Sequence, residues 1–172
     1  MPQGTVSYCP PRRNFRPAGR IRDVKLELTV PKFVQSKRRV TGARAAGLQY
    51  ERKAQAHLAS AFYIQNPWFS FWSDGQHTLQ YCSPDGLSFN FQSGLITVFE
   101  IKLRHTSDSW WQLRHLYIPV VSKLFGDVLW KYAAVEVCRW FDPDTVFPEE
   151  FRMLESPFNA RPDMFGVHIW RR

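Results

Sequence analysis

The sequence predicts an α/β fold, a mixed central sheet flanked by helices, with a basic arm ahead of it. Three observations lead there. Short β-branched and aromatic runs, bounded by Gly, Pro, Asp and Ser, recur between residues 68 and 103 and again after residue 132. Two stretches, residues 45–64 and Ser107 to Gly126, carry apolar residues at helical spacing instead. A chain of 172 residues that is 44% hydrophobic can also bury one sizeable core. The predicted division is a basic arm with one amphipathic strand over residues 1–45, then a single domain over residues 46–172.

Residues 1–22 are rich in proline and arginine (CPPRRNFRPAGRIR) and are expected to be extended. Val24 to Val30 alternates apolar and polar side chains until Pro31 stops it. That predicts an edge strand, in its own chain or exchanged with a second copy in a homodimer. From Ala45 to Ile64, residues Leu48, Glu51, Gln55, Leu58 and Phe62 recur at spacings of three and four, one face of a helix. Glu51 therefore falls inside the stripe that should meet the sheet, or at its margin if the helix is slightly rotated.

Trp68–Ser73 and Gln76–Cys82 read as strands joined at Asp74-Gly75, a hairpin signal. Leu87–Phe91 alternates and should turn at Gln92-Ser93-Gly94 into a buried strand over Leu95–Leu103. The helix that follows is expected to be capped by Ser107 or Asp108, kinked by Pro119 and ended by Gly126, with Leu113, Leu116, Val120 and Leu124 as its core stripe. Tyr132–Cys138 reads as a further strand, Pro148–Leu154 as a short helix and Phe165–Trp170 as a last strand.

Chemistry concentrates between Cys82 and Arg104 (CSPDGLSFNFQSGLITVFEIKLR). Strand side chains alternate faces, so Glu100 and Lys102 share a face with Ile96 and Val98, while Phe99, Ile101 and Leu103 take the other. Pro84-Asp85-Gly86 is a common turn sequence, and Glu-x-Lys commonly marks the exposed face of an edge strand. An exposed edge would alternate along its whole length, however. Here the charges begin only at the strand's C-terminal end, where open α/β sheets place ligand sites.

The spacing P-D-x(14)-E-x-K, as SPDGL…FEIKLR, resembles the metal-binding signature of the PD-(D/E)XK nuclease superfamily. Gly47-Leu48-Gln49-Tyr50-Glu51-Arg52-Lys53 is similar to the first core helix of its RecB-like and lambda-exonuclease-like groups, whose glutamate points into the metal site. The resemblance implies a restriction-endonuclease-like αβββαβ core and Mg²⁺, or Mn²⁺, held by Glu51, Asp85, Glu100 and the carbonyl of Ile101. It implies a catalytic set of Glu51, Asp85, Glu100, Lys102 and Gln112. RecB-like nucleases often carry Q-x-x-x-Y on the second helix. Here tyrosine follows Gln112 at five residues, so on an α-helix Tyr117 should point about 100° away from the family's tyrosine.

Net charge is +8, and residues 1–45 hold eleven Lys and Arg against two acids, leaving the remainder near neutral. A basic segment on a near-neutral body suits a polyanion, nucleic acid before anionic membrane, with a solvated tail as the plain alternative. Arg12, Arg13, Arg16, Lys37, Arg38, Arg39, Arg104 and Arg114 are the expected nucleic-acid contacts, and DNA the expected partner. Residues 1–45 lack the amphipathic helical pattern of a membrane binder. His57, His77, His105, His115 and His168 show no His-Asn-His or HxxxH ligand spacing. Three scattered cysteines, no CxxC and no apolar leader point to a reducing cytoplasm, bacterial and phage-encoded nucleases being the nearest in size and charge. The sequence thus predicts a metal-dependent deoxyribonuclease of recombination, repair or DNA processing. The alternative is a non-catalytic nucleic-acid-binding or structural protein that retains the nuclease fold.

Overall fold

The computed structural model describes residues 7–8, 19–34, 40–144 and 147–172. The expected nucleic-acid contacts Arg12, Arg13, Arg16, Lys37, Arg38 and Arg39 lie outside the described residues. In chain order the elements are β1 (Ser7–Tyr8), β2 (Ile21–Glu27), α1 (Gly42–Leu58), β3 (Tyr63–Gln65), β4 (Trp68–Ser73), β5 (Gln80–Cys82), β6 (Gly86–Asn90) and β7 (Leu95–Arg104). Then follow α2 (Ser107–Gln112), a π-helical turn (Leu113–Tyr117), α3 (Ile118–Phe125), β8 (Lys131–Trp140), β9 (Arg152–Met153) and β10 (Phe165–Ile169). The chain is therefore α/β, and among the described residues the strands form two sheets.

The larger sheet is mixed, in the order β3-β6-β7-β8-β10-β9, with β3, β6 and β7 antiparallel and β7, β8, β10 and β9 parallel. The smaller has the order β1-β5-β4-β2. One face of the larger sheet presents Phe99, Ile101, Val135 and Val137 to Tyr50, Ala54 and Leu58 of α1. The other presents Leu87, Ile96 and Val98 to Leu113, Leu116 and Val120, and this core continues into Phe69 and Phe71 of the smaller sheet. Alternation along β7 thus feeds two hydrophobic layers from one strand.

Four sequence expectations are corrected. The amphipathic strand is displaced to Ile21–Glu27 and pairs with β4 of its own chain, at the edge of the smaller sheet. A bulge between Arg22 and Lys25, with Asp23 at φ +52°, shifts its register, and Leu28 is left exposed. The first helix stops at Leu58, because a turn from Ser60 to Tyr63 reverses the chain into β3 and leaves Phe62 exposed. Its buried residues are Tyr50, Ala54, Gln55 and Leu58, so the helix is rotated and Glu51 lies at the margin of the stripe.

The segment expected as a short helix at 148–154 instead places Arg152–Met153 on the sheet edge, and Leu154 donates its N–H to the Val167 carbonyl at 2.8 Å. Gly166 makes room for this, since a Cβ there would meet Leu154 Cδ1 at 2.5 Å. Finally, Thr106 rather than Ser107 or Asp108 stands at the N-cap of α2, and Leu113–Tyr117 takes a π turn just before Pro119. Proline has no N–H to return to the preceding turn, and the helix absorbs one extra residue there. Among the described residues no helix is long and apolar enough to cross a membrane.

Candidate functional site

The antiparallel ladder between β6 and β7 ends at Gly86 opposite Phe99. One further step in the same register sets Asp85 opposite Glu100. Asp85 acts as a short extension of the strand: its N–H donates to the Phe99 carbonyl at 3.1 Å, and its Oδ2 accepts the Ile101 N–H at 2.5 Å. The N–H and C=O of one strand residue turn to the same side, so the Ile101 carbonyl faces this same edge. On the adjoining face Lys102 Nζ makes an ion pair with Glu100 Oε1. Glu100 is 3% exposed, whereas the Lys102 side chain keeps 27% of its surface open. Of this pair the lysine is therefore the member more open to solvent or a ligand.

The Asp85 turn is anchored from α1. Gln55, buried and one helical turn beyond Glu51, donates Nε2 to the Asp85 carbonyl at 2.7 Å and to Asn66 Oδ1 at 3.1 Å. Its Oε1 accepts the Tyr63 hydroxyl. Tyr63 in turn lies across Gly86, where a Cβ would stand 2.1 Å from the phenol oxygen. Glycine at 86 is thus set by close approach of the ring, not by turn geometry alone. Glu51 is half-buried on the same side of α1.

The electrostatics bring these groups together. Burial raises the Asp85 pKa well above the usual carboxylate range, and the charges of Glu100 and Glu51 raise it further. Burial likewise raises Glu100 and Glu51, with Lys102 opposing the rise in each. For Lys102, burial alone would lower the pKa, but Glu100 and then Asp85 and Glu136 drive it upward. Three carboxylates and one lysine from α1, the Asp85 turn and β7 thus act electrostatically on one another.

Gln112 and the arginines have other surroundings. Gln112 is buried and donates Nε2 to the Tyr117 hydroxyl at 3.1 Å, across the π turn. This corrects the expected orientation of Tyr117: i→i+5 bonding closes one turn on the fifth residue, so both side chains share a face. Arg114 donates Nε to Glu149 at 2.6 Å and a terminal nitrogen to the Asp163 carbonyl at 3.2 Å, so its guanidinium is committed to the C-terminal loops. Arg104 is exposed at the end of β7.

The sequence reading missed a fifth group. Glu136 of β8 stands beside Glu100 in the parallel register and is fully buried. Its Oε2 lies 2.5 Å from His105 Nδ1, and the His105 ring packs against Phe141 and Phe147 at centroid distances of 4.9 and 4.5 Å. The available signal was a lone glutamate inside the apolar run Tyr132–Cys138. Among the described residues Glu100 Oε2 and Glu136 Oε1 are buried without a hydrogen-bond partner.

Oxygen donors of this kind, all carboxylate or carbonyl, fit a hard divalent cation, and the orphaned Glu100 oxygen fits such a use. Among the described residues no three Asp, Glu, His or Cys side chains close into a finished metal cage. Glu100 is turned onto Lys102 and Asp85 onto the Ile101 N–H. No protein-family model matches the chain, and no curated protein or solved structure matches it.

Proposed function

We propose that this protein is a magnesium-dependent deoxyribonuclease of the PD-(D/E)XK type, hydrolysing phosphodiester bonds of DNA in bacterial or phage recombination, repair or DNA processing. The observation that carries the reading is the meeting of Asp85, Glu100 and Lys102 at the open end of β7, with Glu51 acting on them from α1. The order α1, β3, β6, β7, α2–α3, β8 also follows αβββαβ, with the β4–β5 hairpin inserted into the second sheet. Gln112 and Tyr117, brought onto one face by the π turn and hydrogen-bonded to each other, support a comparison with the glutamine and tyrosine four apart of the RecB-like group.

Asp85 and Glu100, with the Ile101 carbonyl, are the residues that would hold Mg²⁺, which usually binds through one or two carboxylates and keeps several waters. Held by these residues, such a cation would supply Lewis-acid chemistry, polarising a phosphodiester and making a bound water more acidic. Lys102 is kept charged by Glu100 and partly open to solvent, so it can meet a phosphate oxygen and stabilise charge gathering there. Glu51 can accept a hydrogen bond from water entering between α1 and Lys102. The basic residues of the first 45 supply sequence-independent attraction to the phosphate backbone.

The test is cleavage of supercoiled, linear duplex and single-stranded DNA by the purified chain with Mg²⁺, with and without chelator. Wild type should cut at least one form, and both chelator and Asp85→Asn should stop it. The ion pair that turns Glu100 onto Lys102 favours a second reading, a non-catalytic nucleic-acid-binding protein of the same fold. Salt-sensitive DNA binding with no cleavage in Mg²⁺ or Mn²⁺ would establish that second reading.

A further inference from the structure

Beyond the end of α1 at Leu58, the β6–β7 hairpin borders a cavity of about 720 Å³. Ser88 and Thr97 stand directly opposite each other there, on the face that carries Phe99 further along β7. Phe62, Phe91 and Phe158 reach the same cavity from the turn after α1, the end of β6 and the C-terminal loops. Nothing in the function proposed above uses it.

The three rings are unusually open. Phe62 is 58% exposed, Phe91 62% and Phe158 47%. They are nevertheless held in place by other rings. Phe91 packs edge-to-face with Phe62 and with Trp130, at centroid distances of 5.0 and 5.4 Å, and Phe158 packs with Phe99 at 6.3 Å. Aromatic surface fixed in an exposed position marks an interaction site rather than a core.

Between the rings the lining is polar but uncharged. The hydroxyls of Ser88 and Thr97 can each donate and accept a hydrogen bond. Asn90 Oδ1 accepts the N–H groups of Gln92 and Ser93, both at 3.1 Å, which fixes the amide and leaves its NH₂ group as a donor. The clefts beside Lys123 and Arg161 are lined by charged side chains, whereas no Asp, Glu, Lys, Arg or His among the described residues lines this one. A phosphate or ammonium group would find no counter-charge inside it. An apolar side chain from another protein would strip water from the hydroxyls and return no hydrogen bond. A flat, uncharged group with its own donors and acceptors suits both the rings and the hydroxyls, and a nucleobase is such a group. Lys131 is exposed and lies beside Leu95 of the cavity wall in the parallel register, so a cation stands next to the cavity for the phosphate that accompanies a base.

We infer that this cavity binds a nucleobase, with Phe62, Phe91 and Phe158 as stacking surfaces and Ser88, Thr97 and Asn90 as hydrogen-bonding groups. A base inside a duplex is already stacked and paired, so the occupant is an unpaired base from a single-stranded or frayed segment. The inference rests on the nucleic-acid partner proposed above and adds the form of DNA that the chain prefers.

The experiment measures fluorescence anisotropy of labelled single strands, in chelator so that none is cut. One probe is oligodeoxythymidylate and the other an abasic strand of the same length, which carries the same phosphates. Wild type should bind the first roughly 5–150-fold more tightly, the range for one base stacked on an aromatic ring. The chain carrying both Phe62→Ala and Phe91→Ala should lose most of that preference, while its slope of log K against log salt stays as in wild type because the phosphate contacts remain. The comparison of the two strands needs no variant and so stands even if the substituted chain fails to fold. Equal binding of both strands by wild type would overturn base recognition and leave the nucleic-acid reading intact. Full preference kept by the folded, doubly substituted chain would overturn this cavity as the place where the base binds. A wild-type dimer in sedimentation that the two substitutions disperse would assign the face to a second copy of the chain and overturn the inference. No binding of either strand by wild type would overturn the nucleic-acid reading itself and this inference with it.

Discussion

On one face of β7, Ile96 and Val98 in the first half and Glu100 in the second are almost equally buried, yet they do opposite things. Ile96 and Val98 are fully buried against Leu113, Leu116 and Val120, hydrocarbon on hydrocarbon. Glu100, two residues on, is 3% exposed and sits among Asp85, Glu51, Glu136 and Lys102. Burial at the first end removes apolar surface from water and stabilises the fold. At the second it strips water from charges, which disfavours the charged form and costs stability unless a cation arrives. One strand therefore supplies a support and, rigidly attached to it, a group held out of its own solvent.

The largest expected effect is on the supporting half. Ile96→Ala should cost about 2–5 kcal/mol, as buried aliphatic truncations do. Urea unfolding measures it, and cleavage per folded molecule should remain as in wild type. A loss of activity beyond the loss of folded protein would show that the two halves are not separable.

Next comes the charged half. Glu100→Gln and Lys102→Ala should each lower DNA cleavage at least ~10²-fold, the scale of losing one electrostatic stabiliser. Their stabilities should diverge. Glu100→Gln removes a buried charge and should leave the metal-free protein as stable as wild type or more so. Lys102→Ala leaves Glu100 buried without its cation and should destabilise. Wild-type cleavage by either folded variant would remove this end of β7 from the chemistry.

A smaller effect is expected in the pH dependence of the metal-free protein. Asp85, Glu100 and Glu51 all have pKa values raised by burial. Between the ordinary carboxylate value near ~4 and those raised values, the folded state binds more protons than the unfolded state. Stability should therefore fall as pH rises through that window, by at most ~1.4 kcal/mol per pH unit for each proton involved. Asp85→Asn should flatten the fall, and saturating Mg²⁺ should abolish it, since a ligand bound only by the folded state stabilises it. Chemical unfolding at a series of pH values decides the sign, and stability that rose with pH would contradict the crowding of carboxylates.

What could be read before the structure was what is local. The strand over Leu95–Leu103, its alternation, and the Pro-Asp-Gly turn lie within twenty residues of one another, and period-two patterning carries them. Glu51 drew attention because it fell among the apolar helical spacings, although the helix is rotated and sets it at the margin of the buried stripe. Gln55, Tyr63 and Glu136 were not legible as site residues. Gln55 works through a backbone carbonyl thirty residues away, and Tyr63 fell inside what read as helix. Glu136 meets Glu100 only through a parallel register that no short window contains. The π turn escaped because apolar spacing does not distinguish i+4 from i+5 bonding around a proline.

The smallest expected effect falls on Glu51, which touches the charged half of β7 from another layer. Its carboxylate is half-buried, is drawn by Lys102, and repels Asp85 and Glu100. No carboxylate at the margin of an apolar stripe needs such neighbours to be tolerated there, since it could turn to solvent with Arg52 and Lys53, which are exposed. Glu51→Ala should lower Mn²⁺ affinity by ~10–100-fold, the scale for groups that act through a metal's surroundings. The unfolding midpoint of the metal-free protein should barely move, because one repelling charge leaves with the attraction to Lys102. Lys53→Ala on the exposed face of the same helix should change neither quantity. Calorimetric titration of Mn²⁺ into the three proteins makes the comparison directly. Equal affinity in Glu51→Ala and wild type would confine the site to β7 and its neighbouring strands, and α1 would serve only as the cover for Phe99 and Ile101.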